Sequence, residues 1–99
     1  MTVNFQYVGV DVSETLSSFT EEKLDKLFSK YEFLISALVY FKQDEKDHNA
    51  GKICNIELSL PGPRIYATSN EHNFEVSVRE TINDLERQLK KRKRVFQNH

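Results

Sequence analysis

One cysteine, Cys54, is all the chain has, so no disulfide forms within it and the fold must rest on burial alone, as suits a reducing compartment. There is no tryptophan, and the three glycines stand well apart. A glycine-rich loop that cradles phosphate needs them clustered, so nucleotide-binding loops of that kind are excluded. His48, His72 and His99 are scattered, without the i, i+4 or paired-cysteine spacing of a zinc site. No apolar run approaches the ~20 residues of a membrane helix. The opening MTVNFQYVGVDVSE lacks the positive segment and apolar run of a signal peptide. These absences predict a cytoplasmic chain with no membrane partner, metal or cofactor.

What is present is charge, unevenly placed. The formal net charge is only −1, yet residues 90–99 carry five basic and no acidic side chains, against nine basic and fifteen acidic in residues 1–89. Such a gradient suggests a polyanion partner. One or two lysines would satisfy the negative end of a helix dipole, and five exceed that need.

The basic run sits in the most strongly patterned stretch, Asn73 to Phe96. Phe74, Val78, Ile82, Leu85, Leu89 and Phe96 recur at spacings of four, four, three, four and seven. At about 100° per residue they form one stripe, which predicts a helix gripping a core along its length. Arg87, Lys90, Lys91 and Arg94 lie nearly opposite that stripe, and Arg92 and Lys93 flank it.

The remaining chain reads as a platform for this helix. Thr2 to Val8 alternates as a half-buried strand, with Val3, Phe5 and Tyr7 on one face. Ser13 is placed to cap a helix running to about residue 31, with Leu16, Phe19, Leu24, Leu27, Phe28 and Tyr31 inward. Lys23, Lys26 and Lys30 line one flank of it, which is either an ordinary solvated face or half of a basic groove. A second strand is expected over Leu34–Lys42, a mobile exposed connection over Gln43–Lys52, and a third strand over Lys52–Leu60. Pro61-Gly62-Pro63 turns the chain into a hairpin, because proline cannot continue a ladder, and Arg64–Ser69 returns. Asn73 caps the last helix.

The order is βαβββα, and a four-stranded sheet with two helices on one face, a two-layer α+β sandwich, follows from one apolar face per element. Residues 1–99 are expected to form a single domain. The other sheet face, with Tyr40, Lys42, Arg64 and Tyr66, would be open. Cys54 alternates with Ile56 and Leu58 and reads as a small core residue. The carboxylates have no apolar pocket around them, so no enzyme is indicated. Two readings remain. In the first, the lysine row and the carboxyl-terminal cations form one groove that grips RNA phosphates. In the alternative, the chain is a non-enzymatic protein-interaction adaptor using the open sheet face.

Four segments carry a family resemblance that runs nearly end to end. They are Val10-Asp11-Val12-Ser13-Glu14-Thr15-Leu16-Ser17-Ser18-Phe19, the Lys23–Leu27 segment, the Pro61-Gly62-Pro63 hairpin, and Asp84-Leu85-Glu86-Arg87-Gln88-Leu89-Lys90-Lys91-Arg92-Lys93. Together they resemble the short ribosome hibernation-promoting factors, also called ribosome-associated inhibitors and similar to sigma-54 modulation proteins. The resemblance implies a fold related to the double-stranded-RNA-binding domain. It also implies a non-catalytic translation inhibitor of starved or stationary-phase cells. Such a factor binds small-subunit ribosomal RNA near the decoding centre and blocks messenger and transfer RNA. By position, the rRNA-binding residues it implies are Lys23, Lys26, Arg87, Lys91 and Lys93; helical spacing adds Lys30, Lys90, Arg92 and Arg94. The sequence departs from the family at Asn73-Phe74 and at Val78-Arg79-Glu80. It ends at His99 without the second, dimerising domain of the long members, so ribosome dimers would need a separate factor.

Overall fold

The computed structural model describes residues 2–97. Its elements are β1 (Thr2–Val8), α1 (Glu14–Lys30), β2 (Ser36–Gln43), β3 (Lys52–Ser59), β4 (Ile65–Glu71) and α2 (Phe74–Gln97). The four strands form one sheet in the order β1-β2-β3-β4. β1 and β2 are parallel, with Val3 opposite Ala37 and Tyr7 opposite Phe41; the other two pairs are antiparallel. A parallel pair cannot be closed by a tight turn, and α1 supplies the crossover.

Strand alternation decides which face is covered. Ala37, Val39 and Phe41 of β2, Cys54, Ile56 and Leu58 of β3, and Ile65 and Ala67 of β4 are all buried. They join Leu16, Leu24, Leu27 and Phe28 of α1 and Val78, Leu85 and Leu89 of α2 in one cluster. Both helices therefore pack on the same face, in the α+β order that the spacing predicts. Val3, Phe5 and Tyr7 close the β1 edge of the cluster, half-buried.

The helix ends follow from local chemistry. The Ser13 hydroxyl accepts the Leu16 amide at 3.1 Å, and the Asn73 side-chain carbonyl accepts the Val76 amide at 2.8 Å. Each satisfies an amide that the first turn leaves without a partner, worth about 1 kcal/mol. At the far end of α1 the Tyr31 amide donates to the Leu27 carbonyl at 2.8 Å.

The buried faces of the two helices hold three hydroxyl side chains, one on α1 and two on α2. Thr20, Ser77 and Thr81 are fully buried. Thr20 donates to the Leu16 carbonyl and Thr81 to that of Ser77, both at 2.8 Å, while Ser77 donates to the Lys52 carbonyl of β3. Small hydroxyl residues let helix and sheet backbones approach closely, and each polar atom is satisfied, which removes the cost of burying it.

Three expectations need correction. β2 begins at Ser36 rather than Leu34, because Leu34 closes a turn on Tyr31 (amide to carbonyl, 3.1 Å), and β4 runs on to Glu71, paired with Lys52. Residues 43–52 are largely exposed, as expected, but hydrogen bonds close the connection on itself. The Asp47 carboxylate accepts the Asn49 and Ala50 amides, Asp44 and Gly51 bond through their backbones, and the Gly51 amide donates to Asn70 at 2.6 Å. Gly51 sits at φ +107°, where a Cβ would come within 2.5 Å of the Asp44 carbonyl oxygen, so only glycine fits. Finally, Phe96 does not reach the core. It is 38% exposed and packs edge-on against Phe33, with ring centroids 5.0 Å apart. Among the described residues Leu89 is the last buried one of α2.

Candidate nucleic-acid interface

On α1 the buried residues Leu16, Leu24, Leu27 and Phe28 fix the orientation of the helix, and Lys23, Lys26 and Lys30 follow at steps of three and four along one flank. The Lys23 side chain lies back along its own helix, its ammonium 5.3 Å from the centre of the Phe19 ring. Its aliphatic stem is thus half-covered while its charge stays at the surface. Lys26 and Lys30 are exposed.

On α2, Arg87, Lys90, Lys91, Lys93 and Arg94 are exposed. Arg87 stands 3.7 Å from Asp84, one turn earlier on the same exposed surface. Surface pairs of that kind contribute about 0–1 kcal/mol and yield easily to a phosphate. Arg92 is different. Its guanidinium donates to the Pro61 carbonyl at 3.3 Å, tying α2 to the Pro61-Gly62-Pro63 turn, and one step back Gln88 donates to the Tyr66 carbonyl at 3.1 Å. Arg92 therefore points to the β4 side of α2, whereas Lys93 points to the α1 side.

The two cationic rows meet at the carboxyl-terminal end of α1. The Lys30 and Lys93 ammonium groups lie 5.8 and 5.9 Å from the centre of the Tyr31 ring. Lys30 also donates to Glu86 at 2.6 Å, and the Tyr31 hydroxyl donates to the same carboxylate oxygen at 3.2 Å. The Lys30 hydrogen bond holds the Glu86 carboxyl below its usual value, and the same bond raises Lys30. Burial, aided by the neighbouring Glu86 charge, raises Tyr31. Glu86 is thus the one carboxylate in direct contact with the lysine row among the described residues. Nothing local in the sequence marks it, since Lys30 and Glu86 are 56 positions apart and meet only through helix packing.

The open sheet face is polar. Asn55 bonds Thr68 at 2.8 Å, Arg64 bonds Glu57 at 3.0 Å, and the Lys42 ammonium lies over the Tyr40 ring. Tyr66 is 67% exposed. Tyr40 pairs with Asn55, and Tyr66 with Glu57, so the two rings sit on strands separated by β3 and out of register. They do not form a continuous stacking platform.

Catalytic chemistry finds no foothold among the described residues. Cys54 is fully buried, and burial pushes its thiol up to about 12, so it stays protonated and inert. No cluster of three metal-ligating side chains occurs among the described residues; His99 lies outside them. No helix of the structure is long and apolar enough to cross a membrane. What the two adjoining helices do present is fixed positive charge at the surface.

The family model described as Sigma 54 modulation protein / S30EA ribosomal protein matches residues 3–96. The chain belongs to this family. Membership makes it a ribosome-associated factor of the hibernation and modulation class. Among solved structures it is similar to a ribosomal subunit interface protein from Coxiella burnetii. The two are 27% identical, with a TM-score of 0.84 over 94% of this chain and 98% of that one. It also shares the fold of the Thermus thermophilus Protein Y N-terminal domain, with 18% identity, a TM-score of 0.73, and coverage of 91% and 93%. No curated protein sequence matches the chain.

Proposed function

We propose that the protein silences translation by binding the RNA of the small ribosomal subunit near the decoding centre, where it blocks messenger and transfer RNA. Lys23, Lys26 and Lys30 of α1 and Arg87, Lys90, Lys91, Lys93 and Arg94 of α2 carry the contact. Arg92 contributes less, because the Pro61 carbonyl already engages it. Residues 1–99 act as a single cytoplasmic ribosome-binding domain with no catalytic step.

The observation that carries this reading is the meeting of the two lysine rows around Tyr31, which turns two helix flanks into one cationic surface. Fixed cations on regular helices match the phosphates and shape of duplex-like RNA, whose deep major groove hides its base edges. The net charge of −1 is no obstacle, since a Debye length of about 8 Å at physiological salt lets the local surface dominate.

The test is co-sedimentation with isolated small subunits at two salt concentrations, with and without messenger and initiator transfer RNA. Each neutralised phosphate releases counterions, so eight such contacts should weaken binding by about 10³–10⁵-fold across a fourfold rise in salt. It should also be blocked by the two RNA ligands. Arg87→Glu combined with Lys91→Glu should abolish it while unfolding stays cooperative. Normal binding by that pair would remove α2 from the interface. Dependence on Tyr40 and Tyr66 instead would favour an adaptor that works through the open sheet face.

A further inference from the structure

Where the carboxyl-terminal ends of the two helices converge, the surface is neither flat nor uniformly charged. Lys30, Tyr31, Glu32, Phe33, Lys93 and Phe96 line a cleft of about 390 Å³. That is within the range of about 300–1,000 Å³ typical of small-ligand clefts. Three aromatic rings form its wall in an edge-to-face chain: Tyr31 to Phe33 at 6.0 Å and Phe33 to Phe96 at 5.0 Å. Phe96 is an exposed large apolar side chain on a helix whose covered part ends at Leu89. Phe96 packs on Phe33 outside the core, partly open to solvent and beside five consecutive cations, which core packing alone does not explain.

Resting on the reading of the two helices as an RNA surface, we propose that this cleft seats one unstacked base of the bound RNA. The base lies against the rings of Phe33 and Phe96, and the Lys93 and Lys30 ammonium groups hold its flanking phosphates. The chemistry favours this occupant over an apolar one. A purely apolar partner would have to desolvate two lysines, Glu32 and the nearby Glu86. A nucleotide offers a flat π-face to the rings and anionic oxygens to the lysines. The Glu86 carboxylate accepts from both Lys30 and Tyr31, so Lys30 exchanges that bond for one to the phosphate as RNA binds. Helix cations on their own read only the backbone; a stacking seat beside them makes the contact prefer RNA with a base free to leave its stack.

The test is an NMR titration of the isotope-labelled protein with a single-stranded RNA of about ten nucleotides, and with an abasic strand of the same length and charge. The base-bearing strand should shift the ring signals of Tyr31, Phe33 and Phe96 and bind about tenfold more tightly than the abasic one. Phe96→Ala, at an exposed position where folding is not at stake, should erase that preference and keep the salt dependence. Lys93→Gln should weaken both strands alike. Equal affinity of the unaltered protein for the two strands, or a preference that survives Phe96→Ala, overturns the seat. So do concentration-dependent shifts of Phe96 without RNA, which would assign the cleft to a second copy of the chain. Sedimentation with small subunits separates this failure from a deeper one. Salt-sensitive subunit binding without base preference sinks the seat alone, whereas no subunit binding sinks both readings.

Discussion

The two helices are equals in the core and unequal at the surface. Leu24 of α1 and Leu85 of α2 are both fully buried in one cluster, and each helix is closed at its start by a side-chain cap. Outside the core they diverge. α1 divides its charges, with Lys23, Lys26 and Lys30 on the flank toward α2, and Glu21, Glu22 and Asp25 off that row. α2 concentrates its cations in the last turns, beyond the point where its apolar stripe stops being covered. Burial fixes where a helix sits, and the uncovered length fixes what it can reach. The 24 residues of α2, against 17 for α1, allow one helix to perform both tasks.

The equality in the core is the easier half to break. Leu24→Ala and Leu85→Ala should each cost about 2–5 kcal/mol, measured by denaturant unfolding, because both leave a cavity in the same packed layer. A cost several times larger in one helix would mean that the other is a loosely held lid. The inequality at the surface should appear as a separate ranking. Arg87→Glu with Lys91→Glu should abolish subunit binding at moderate salt, and Lys23→Glu with Lys26→Glu should weaken it by about tenfold. Equal losses would make the interface symmetric about the helix pair, and the longer α2 would then be a matter of packing alone.

Strands and helices were legible because their signals are local. The period-two alternation of Cys54, Ile56 and Leu58 and the helical recurrence of Val78, Leu85 and Leu89 depend only on chain geometry, and the βαβββα order follows from them. Three features were not legible, each for a physical reason. Periodicity places Phe96 on the stripe of α2 but carries no information about where the core beneath it ends. The 43–52 segment is polar and reads as open, yet polar side chains such as Asp47 and Asn70 can satisfy backbone amides and close a loop on itself. The placement of Lys30 against Glu86 depends on how two helices cross, which neither helix encodes alone. The sequence therefore names the cations readily, and names poorly the carboxylate, Glu86, that engages the lysine row of α1.

That anion allows the smallest test of the comparison, because it joins the two helices. Glu86 has a lowered folded value, so its contribution to stability is present above the ordinary carboxylate value of 4.5 and is lost as pH falls through the folded one. Lys30 is raised, so its share is present below 10.5 and is lost as pH rises through its folded value. Between these limits the pair is constant. Glu86→Gln should therefore remove only a small stabilisation at neutral pH, since Lys30 is exposed and solvent screens the pair. The same variant should flatten the acid end of the stability profile. In binding it should act in the opposite sense: freeing Lys30 and removing one negative charge should tighten small-subunit binding about two- to fivefold, and steepen its salt dependence by about one contact. Unchanged affinity would mean that RNA does not draw on the α1 end of the surface, and the interface would contract to α2 alone.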